Sequence, residues 1–173
     1  TASQRLPTIN AQKEVARMPV AEVRAYLDRF GLGERIREFD ISSATVPLAA
    51  MAVGVEEARI AKTLSFRAEA GGALLVVCAG DARIDNAKFK AVFGFKARML
   101  SAGEALELTG HAVGGVCPFA LKPGVRVCLD SALKRFDTVF PAAGSAASAV
   151  ELSMAELELA TGGAWVDVCK TAG

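Results

Sequence analysis

The stretch RIAKTLSF, Arg59 to Phe66, places a lysine among apolar residues. Read as a strand, it puts Ile60, Lys62, Leu64 and Phe66 on one face and Ala61, Thr63, Ser65 and Arg67 on the other. An ammonium on the core-like face has two readings. The stem can lie along apolar surface while the head reaches water. Alternatively, Lys62 projects into a pocket, where it binds an anionic or carbonyl oxygen or acts as a partly neutral amine. The strand holds no acid to pair with it, which favours the pocket. The second candidate is the loop GGVCP, made of Gly114, Gly115, Val116, Cys117 and Pro118. Glycine lets backbone approach a ligand and proline fixes the exit direction. Such a loop can turn its amides toward a carbonyl or ester oxygen, or it can be an ordinary tight turn. PAAGSAAS, with Gly144 and Ser145, is a third small-residue loop that either leaves room for a ligand or simply turns.

Basic residues gather in RIDNAKFKAVFGFKAR, where Lys88, Lys90, Lys96 and Arg98 are interleaved with Phe89, Phe93 and Phe95. A solvated helix face over core phenylalanines and an RNA contact both fit. His111 is the single histidine and stands six residues before Cys117. A nucleophile–base dyad would need the two to meet, with a third group to orient the base, and no third group is evident. There are four cysteines and no C-x-x-C pair; Cys78 and Cys128 lie in apolar runs, as buried free thiols do. A zinc site would have to draw cysteines from separate strands with one histidine, so neither metal nor cofactor is expected. Phosphate-cradling glycine motifs and the G-x-S-x-G elbow are missing.

The elements that must position these residues can be read along the chain. With 173 residues, 52% of them apolar, the sequence suggests one domain with a proper core. A net charge of +1 argues against bulk electrostatic binding to long nucleic acid or anionic membrane. No run approaches the ~18 apolar residues of a membrane span. The opening TASQRLPTINAQKEVARM lacks the apolar centre of a signal peptide, so a cytoplasmic protein with reduced thiols is expected. MPVAEVRAYLDRFGLG reads as a helix with Pro19 in its first turn, and RIREFD as a short strand. SSATVPLAAMAVGV is a helix capped by Ser43 or Thr45. Strands near 58–69 and 73–79 form a hairpin. DNAKFKAVFG is a helix capped by Asp85, and ARML a short strand. SAGEALELTG and SMAELELATGG are helices carrying Ser-x-x-Glu boxes at Ser101/Glu104 and Ser153/Glu156. VRVCLD, FDTVFPAAG, SAVEL and AWVDVCK read as further strands. Without strict βαβ alternation, an α+β or mixed α/β domain follows.

SSATVPLAAMAVGVEEARIAKTLSF, followed at a distance by GGVCPF, VRVCLD and AAG, resembles the YbaK family, the superfamily of the editing domain inserted into bacterial prolyl-tRNA synthetases. The resemblance runs from about Asp40 to the C-terminus, leaving residues 1–39 as an N-terminal helix and first strand before an editing core at 40–173. It implies a single compact domain with a barrel-like, largely antiparallel sheet and flanking helices. It also implies hydrolysis of amino acids wrongly esterified to tRNA, usually tRNA(Pro), with the aminoacyl-tRNA acceptor end as partner and prolyl-tRNA synthetase as a possible one. The family's lysine matches Lys62, its G-x-x-x-P loop matches Gly114 to Pro118, and its strand-ending aspartate matches Asp130. Its glycine-containing loop before the last helix matches Ala143, Gly144 and Ser145. Members that edit alanine carry a histidine in the segment where this chain has Phe140 and Pro141; cysteine-deacylating members have a glycine-rich loop there, which is nearer.

An aminoacyl ester is already activated, so a chain without triad or metal suffices if it holds the ester and stabilises the developing oxyanion. Amides of Gly115 to Cys117 are expected to face the ester carbonyl, with Lys62 on an oxygen of the substrate. The alternatives are a non-catalytic module that binds an aminoacyl group or small ligand, and a nucleic-acid-binding regulator. The direction of Lys62 relative to a cleft beside GGVCP discriminates between them.

Overall fold

The computed structural model describes residues 9–171, with side chains from Pro19 onward. Part of the stretch read above as lacking a leader, residues 1–8, lies outside the described residues. Helix α1 (Ile9–Asp28) begins well before Pro19, which lies inside it rather than in its first turn. The residues ahead of Pro19 are mostly good helix formers, and one missing hydrogen bond does not outweigh them. After the short strand β1 (Ile36–Glu38), helix α2 (Val46–Val53) is capped by Thr45, whose hydroxyl accepts the Leu48 amide. Hairpin strands β2 (Ile60–Arg67) and β3 (Ala73–Ala79) follow, then a three-residue strand the sequence reading lacked, β4 (Ala82–Ile84). Helix α3 (Asn86–Phe93) is capped by Asp85 and α4 (Ala102–Thr109) by the Ser101/Glu104 box. Strands β5 (Arg126–Asp130), β6 (Thr138–Pro141), β7 (Ser148–Val150) and β8 (Leu152–Ser153) lead to α5 (Met154–Thr161), opened by the Ser153/Glu156 box. AWVDVCK splits into β9 (Ala164–Val166) and β10 (Cys169–Thr171).

The central sheet has six strands in the order β8-β6-β2-β3-β5-β9. It is mixed: β2 runs antiparallel to β3 and β6 to β8, while β2–β6, β3–β5 and β5–β9 are parallel. β1–β7 and β10–β4 form two separate small antiparallel pairs. This curled α+β sheet with flanking helices is the expected class of fold. ARML contributes a single bridge, Phe66 to Met99, rather than a strand.

β3 lies at the centre of the sheet with all seven residues buried, which explains its unbroken apolar run ALLVVCA. One core joins Val23 and Leu27 of α1, Leu74 and Val76 of β3, Phe89 of α3 and Leu157 of α5. Phe89 meets Phe66 and Phe93 with ring centroids 5.0 and 4.7 Å apart, so α3 uses its phenylalanines as core. A smaller cluster packs Ala49 and Ala50 of α2 on Ile60, Phe140 and Ala149.

The loop between β6 and β7 is pinned to α1 through Gly144. Its φ is +101°, and a Cβ there would fall 2.7 Å from the Pro19 carbonyl oxygen. Gly144→Ala therefore meets backbone strain and a backbone clash together. It should cost at least about 2 kcal/mol, read as a drop in the denaturation midpoint at unchanged m-value.

Candidate active site

Beside GGVCP lies a cleft of about 410 Å³. Its walls are the lead-in and first turns of α2, β2 across residues 60–65, Met99 and Leu100, Gly114 and Val116 of the loop, and Phe140 to Ala149 from the β6–β7 region. Small residues dominate: Ala44, Ala49, Ala61, Ala142 and Ala149. Met99 and Val113 stand at the mouth, 60% and 65% exposed, far above what such residues show in a packed core.

Lys62 lines this cleft, but its ammonium turns to the far end of the hairpin. It donates to the carbonyl of Ala82 and to that of Gly80 at 3.4 Å. An ammonium has three donors, so one remains. The head therefore neither snorkels into open water nor stands free in the cleft: backbone carbonyls hold it. The turn carrying those carbonyls is itself fixed. Asp81 lies between them, and Arg135 grips its carboxylate with two nitrogens at 3.0 and 2.7 Å. That grip holds the Asp81 carboxyl below the ordinary aspartate range.

Asp130 belongs to the same support and not to the cleft wall. It is 1% exposed. One carboxylate oxygen accepts the Ala132 amide and the other the Val168 amide, both at 3.0 Å. The first of these bonds caps the 3-10 turn Ser131–Arg135, which delivers Arg135 to Asp81. With both oxygens occupied by backbone, the carboxylate acts on the site through position.

The GGVCP loop divides. Gly114 and Val116 line the cleft; Gly115, Cys117 and Pro118 are buried behind them. The Gly115 amide donates to the Ala112 carbonyl at 3.0 Å, which removes it from the expected set of ester-facing donors. A Cβ on Gly115 would fall 2.8 Å from Ser145 Cα, so the loop lies directly on the next small-residue loop. There Ser145 and Ser148 bond to each other, hydroxyl to hydroxyl, at 3.1 Å. Ser148 lines the cleft and also accepts the Ala143 and Ser145 amides at 3.2 Å, a role that its place in a run of alanines and serines conceals.

His111 and Cys117 do meet, Nε2 to Sγ at 3.6 Å. Nε2 also lies 2.7 Å from the Phe119 carbonyl oxygen, which can only accept. The ring proton therefore sits on Nε2, and no lone pair faces the thiol. Burial pushes the Cys117 thiol up to about 12, against the smaller pull of the Phe119 and Gly144 amides. The pair is core, not a dyad. The other thiols are also free and buried: burial raises Cys128, while a hydrogen bond with Cys78 and then burial raise Cys169. Among the described residues no group of three or more His, Cys, Asp or Glu side chains could hold a metal ion, and no helix is long and apolar enough to cross a membrane.

The four basic residues differ. Lys88 is committed to Asp167 at 3.0 Å and the Cys169 carbonyl at 3.2 Å. Lys96 and Arg98 line a shallow cleft of about 320 Å³ with Arg67 and Glu69. The main cleft adjoins it along β2, because Arg98 and Leu100 pair with Arg67 and Ser65. Lys90 is exposed on α3.

Two solved structures share the whole architecture. One, the hypothetical protein APE2540, is 36% identical with a TM-score of 0.79, over 86% of this chain and 99% of that one. The other, described as a candidate trans-editing enzyme for prolyl tRNA synthetase, is 31% identical with a TM-score of 0.81, over 90% and 98%. A relative from Bacillus subtilis (strain 168), the uncharacterized protein YwhH, is 53% identical over 88% of this chain and 98% of its own length. These likenesses and the cleft define a class of enzymes that release amino acids from tRNA. The aminoacyl-tRNA editing domain model matches residues 42–159, and the chain belongs to that family, the YbaK family of the resemblance above. Its activity is accordingly that of an aminoacyl-tRNA deacylase.

A thiol that is fully buried and held above the usual range is expected to take no part in the hydrolysis. Cys117→Ser should keep kcat/KM within about threefold of wild type, and native protein at pH 8 should resist iodoacetamide at Cys117 while unfolded protein reacts.

Proposed function

We propose that this protein is a trans-editing hydrolase that removes a wrong small amino acid, cysteine, serine or alanine, from tRNA(Pro) in the cytoplasm. The observation that carries this reading is the cleft itself. At about 410 Å³ it has room for an aminoacyl end, and Ala44, Ala49, Ala61, Ala142 and Ala149 in its lining suit a small side chain. Likeness to the candidate trans-editing enzyme for prolyl tRNA synthetase supports the choice of tRNA and of that synthetase as partner. Phe140 lines the cleft in the segment where alanine-editing members have histidine, which favours cysteine or serine over alanine.

In this reading the remaining N–H of Lys62 contacts a ribose or phosphate oxygen of the terminal nucleotide. Its tether to Gly80 and Ala82 keeps the charge away from the substrate's own α-ammonium. The Val116 amide has no backbone acceptor among the described residues and its residue lines the cleft, so it supplies the loop's donor in place of Gly115. Gly115, Pro118, Gly144 and Ser145 hold that loop in place. Water then attacks an ester already poised by position and electrostatics. Pocket size separates substrates by only ~10–200-fold per methylene, so several small amino acids should be accepted to different degrees.

A panel of mischarged tRNA(Pro) substrates tests the reading. Wild type should release cysteine or serine fastest and leave proline attached; equal inactivity on every substrate rejects it. On the best substrate Lys62→Ala should lose about 10–100-fold in kcat/KM, the worth of one charge-assisted contact.

Lys96 and Arg98 are free of ion pairs among the described residues and flank the cleft, so the acceptor strand is placed over them. The double change Lys96→Ala with Arg98→Ala should raise KM for tRNA and flatten its salt dependence by about one unit of log–log slope per lost phosphate contact, with kcat unchanged. An unaltered salt slope would remove the acceptor strand from this surface.

A further inference from the structure

One edge of β2 is incomplete, and the gap lies inside the cleft. Along its other edge β2 pairs with β3 from Ala61↔Ala79 to Arg67↔Ala73 without interruption. On the cleft edge the parallel ladder with β6 ends at Ala61↔Pro141. Pairing resumes only where the Arg67 amide donates to the Arg98 carbonyl and the Leu100 amide to the Ser65 carbonyl.

The polarity of the gap follows from strand geometry. A strand residue turns its N–H and C=O to the same edge, and successive residues alternate edges. Ser65 and Arg67 bond outward, away from β3; so, therefore, does Thr63. Lys62, Leu64 and Phe66 then make the ladder bonds to β3, in agreement with the Ala68 amide closing the hairpin on the Gly72 carbonyl. The Thr63 N–H, the Thr63 C=O and the Ser65 N–H face the cleft with no backbone partner among the described residues. A second observation points to the same spot: the Thr63 hydroxyl is buried and also without a partner. An unpaired polar group at a buried position, as the Thr63 hydroxyl is, costs about 1–3 kcal/mol, which natural chains rarely carry unless something else satisfies it.

We propose that the aminoacyl group of the substrate completes this edge, lying along Thr63–Ser65 as a one-residue strand. This rests on the deacylase reading of the cleft and says which groups grip the amino acid. A strand position presents one donor and one acceptor, and so does an esterified amino acid, through its α-ammonium and its ester carbonyl. In either strand sense the ammonium falls to the Thr63 carbonyl. The ester carbonyl accepts from the Thr63 amide if the sense is antiparallel and from the Ser65 amide if parallel. Recognition is thereby independent of the side chain, which is left to the alanine-lined wall. The substrate's positive charge meets a carbonyl, while the Lys62 ammonium is engaged elsewhere.

The direct test is amide exchange by NMR on wild-type protein with a non-hydrolysable aminoacyl-adenosine amide. At saturation, exchange of the Thr63 or Ser65 amide proton should slow by at least about tenfold, as for a newly paired amide. Unchanged exchange at both amides, or an analogue that does not bind, overturns the proposal. Thr63→Pro is the matching variant, because proline removes an amide that makes no bond to β3. With Thr63→Val as the control for the hydroxyl, Thr63→Pro should lose about 100-fold more in kcat/KM if the antiparallel sense holds. Serine replaced by glyceric acid, which lacks the ammonium, should lose deacylation beyond its slower spontaneous hydrolysis in either sense. If wild type deacylates none of the mischarged tRNAs, the functional reading fails; the exchange experiment judges the edge pairing separately.

Discussion

The uninterrupted pairing of β2 with β3 is the constraint on which the site depends. β3 is buried on both faces at the middle of the sheet, so its partner is held rigidly along one side. That rigidity lets β2 leave part of its other side unpaired without slipping in register. A strand fixed only at its ends would lose order over the same gap. Here the neighbours on the cleft side diverge, β6 toward one end and residues 98–100 toward the other, and the space between them is the cleft.

Around this strand the supporting interactions form a series. The Asp130 carboxylate caps the 3-10 turn after β5, that turn presents Arg135, Arg135 fixes Asp81, and the carbonyls on either side of Asp81 hold the Lys62 ammonium. Asp130 is the buried member and makes two bonds to backbone amides; the Arg135–Asp81 pair is partly exposed, and its value lies in direction more than in stability. A residue outside the cleft wall thus shares control over where the Lys62 ammonium points.

Much of this was legible from local sequence. Capping residues named the starts of α2 through α5, and alternation around Lys62 together with GGVCP marked two walls of the cleft. The parts that escaped depend on distant encounters. Pro19 looked like a helix start because the pull of the preceding residues is spread over several positions. β4 is three residues long and exists through its pairing with β10. The point at which the β2–β6 ladder stops is set by where the chain diverges after Pro141, which no local pattern encodes. Asp130 is legible as the aspartate that ends a strand, but only coordinates show both its oxygens bound to backbone amides. Whether His111 and Cys117 meet could not be read from their spacing; the loop between them folds back, and their chemistry is silenced by a carbonyl and by burial.

Two glycines give the backing of the cleft wall a property of its own. At Gly115 one loop rests on the backbone of the next, and at Gly144 that second loop rests on the backbone of α1. Three layers of main chain are stacked with no side chain between them to yield. Side-chain packing can absorb a small shift by changing rotamers; a stack of backbones transmits it undiminished. Helix α1 lies before the segment matched by the editing-domain model, yet it is the footing of this stack. The loops that back the cleft wall are therefore set partly by a helix outside the matched segment.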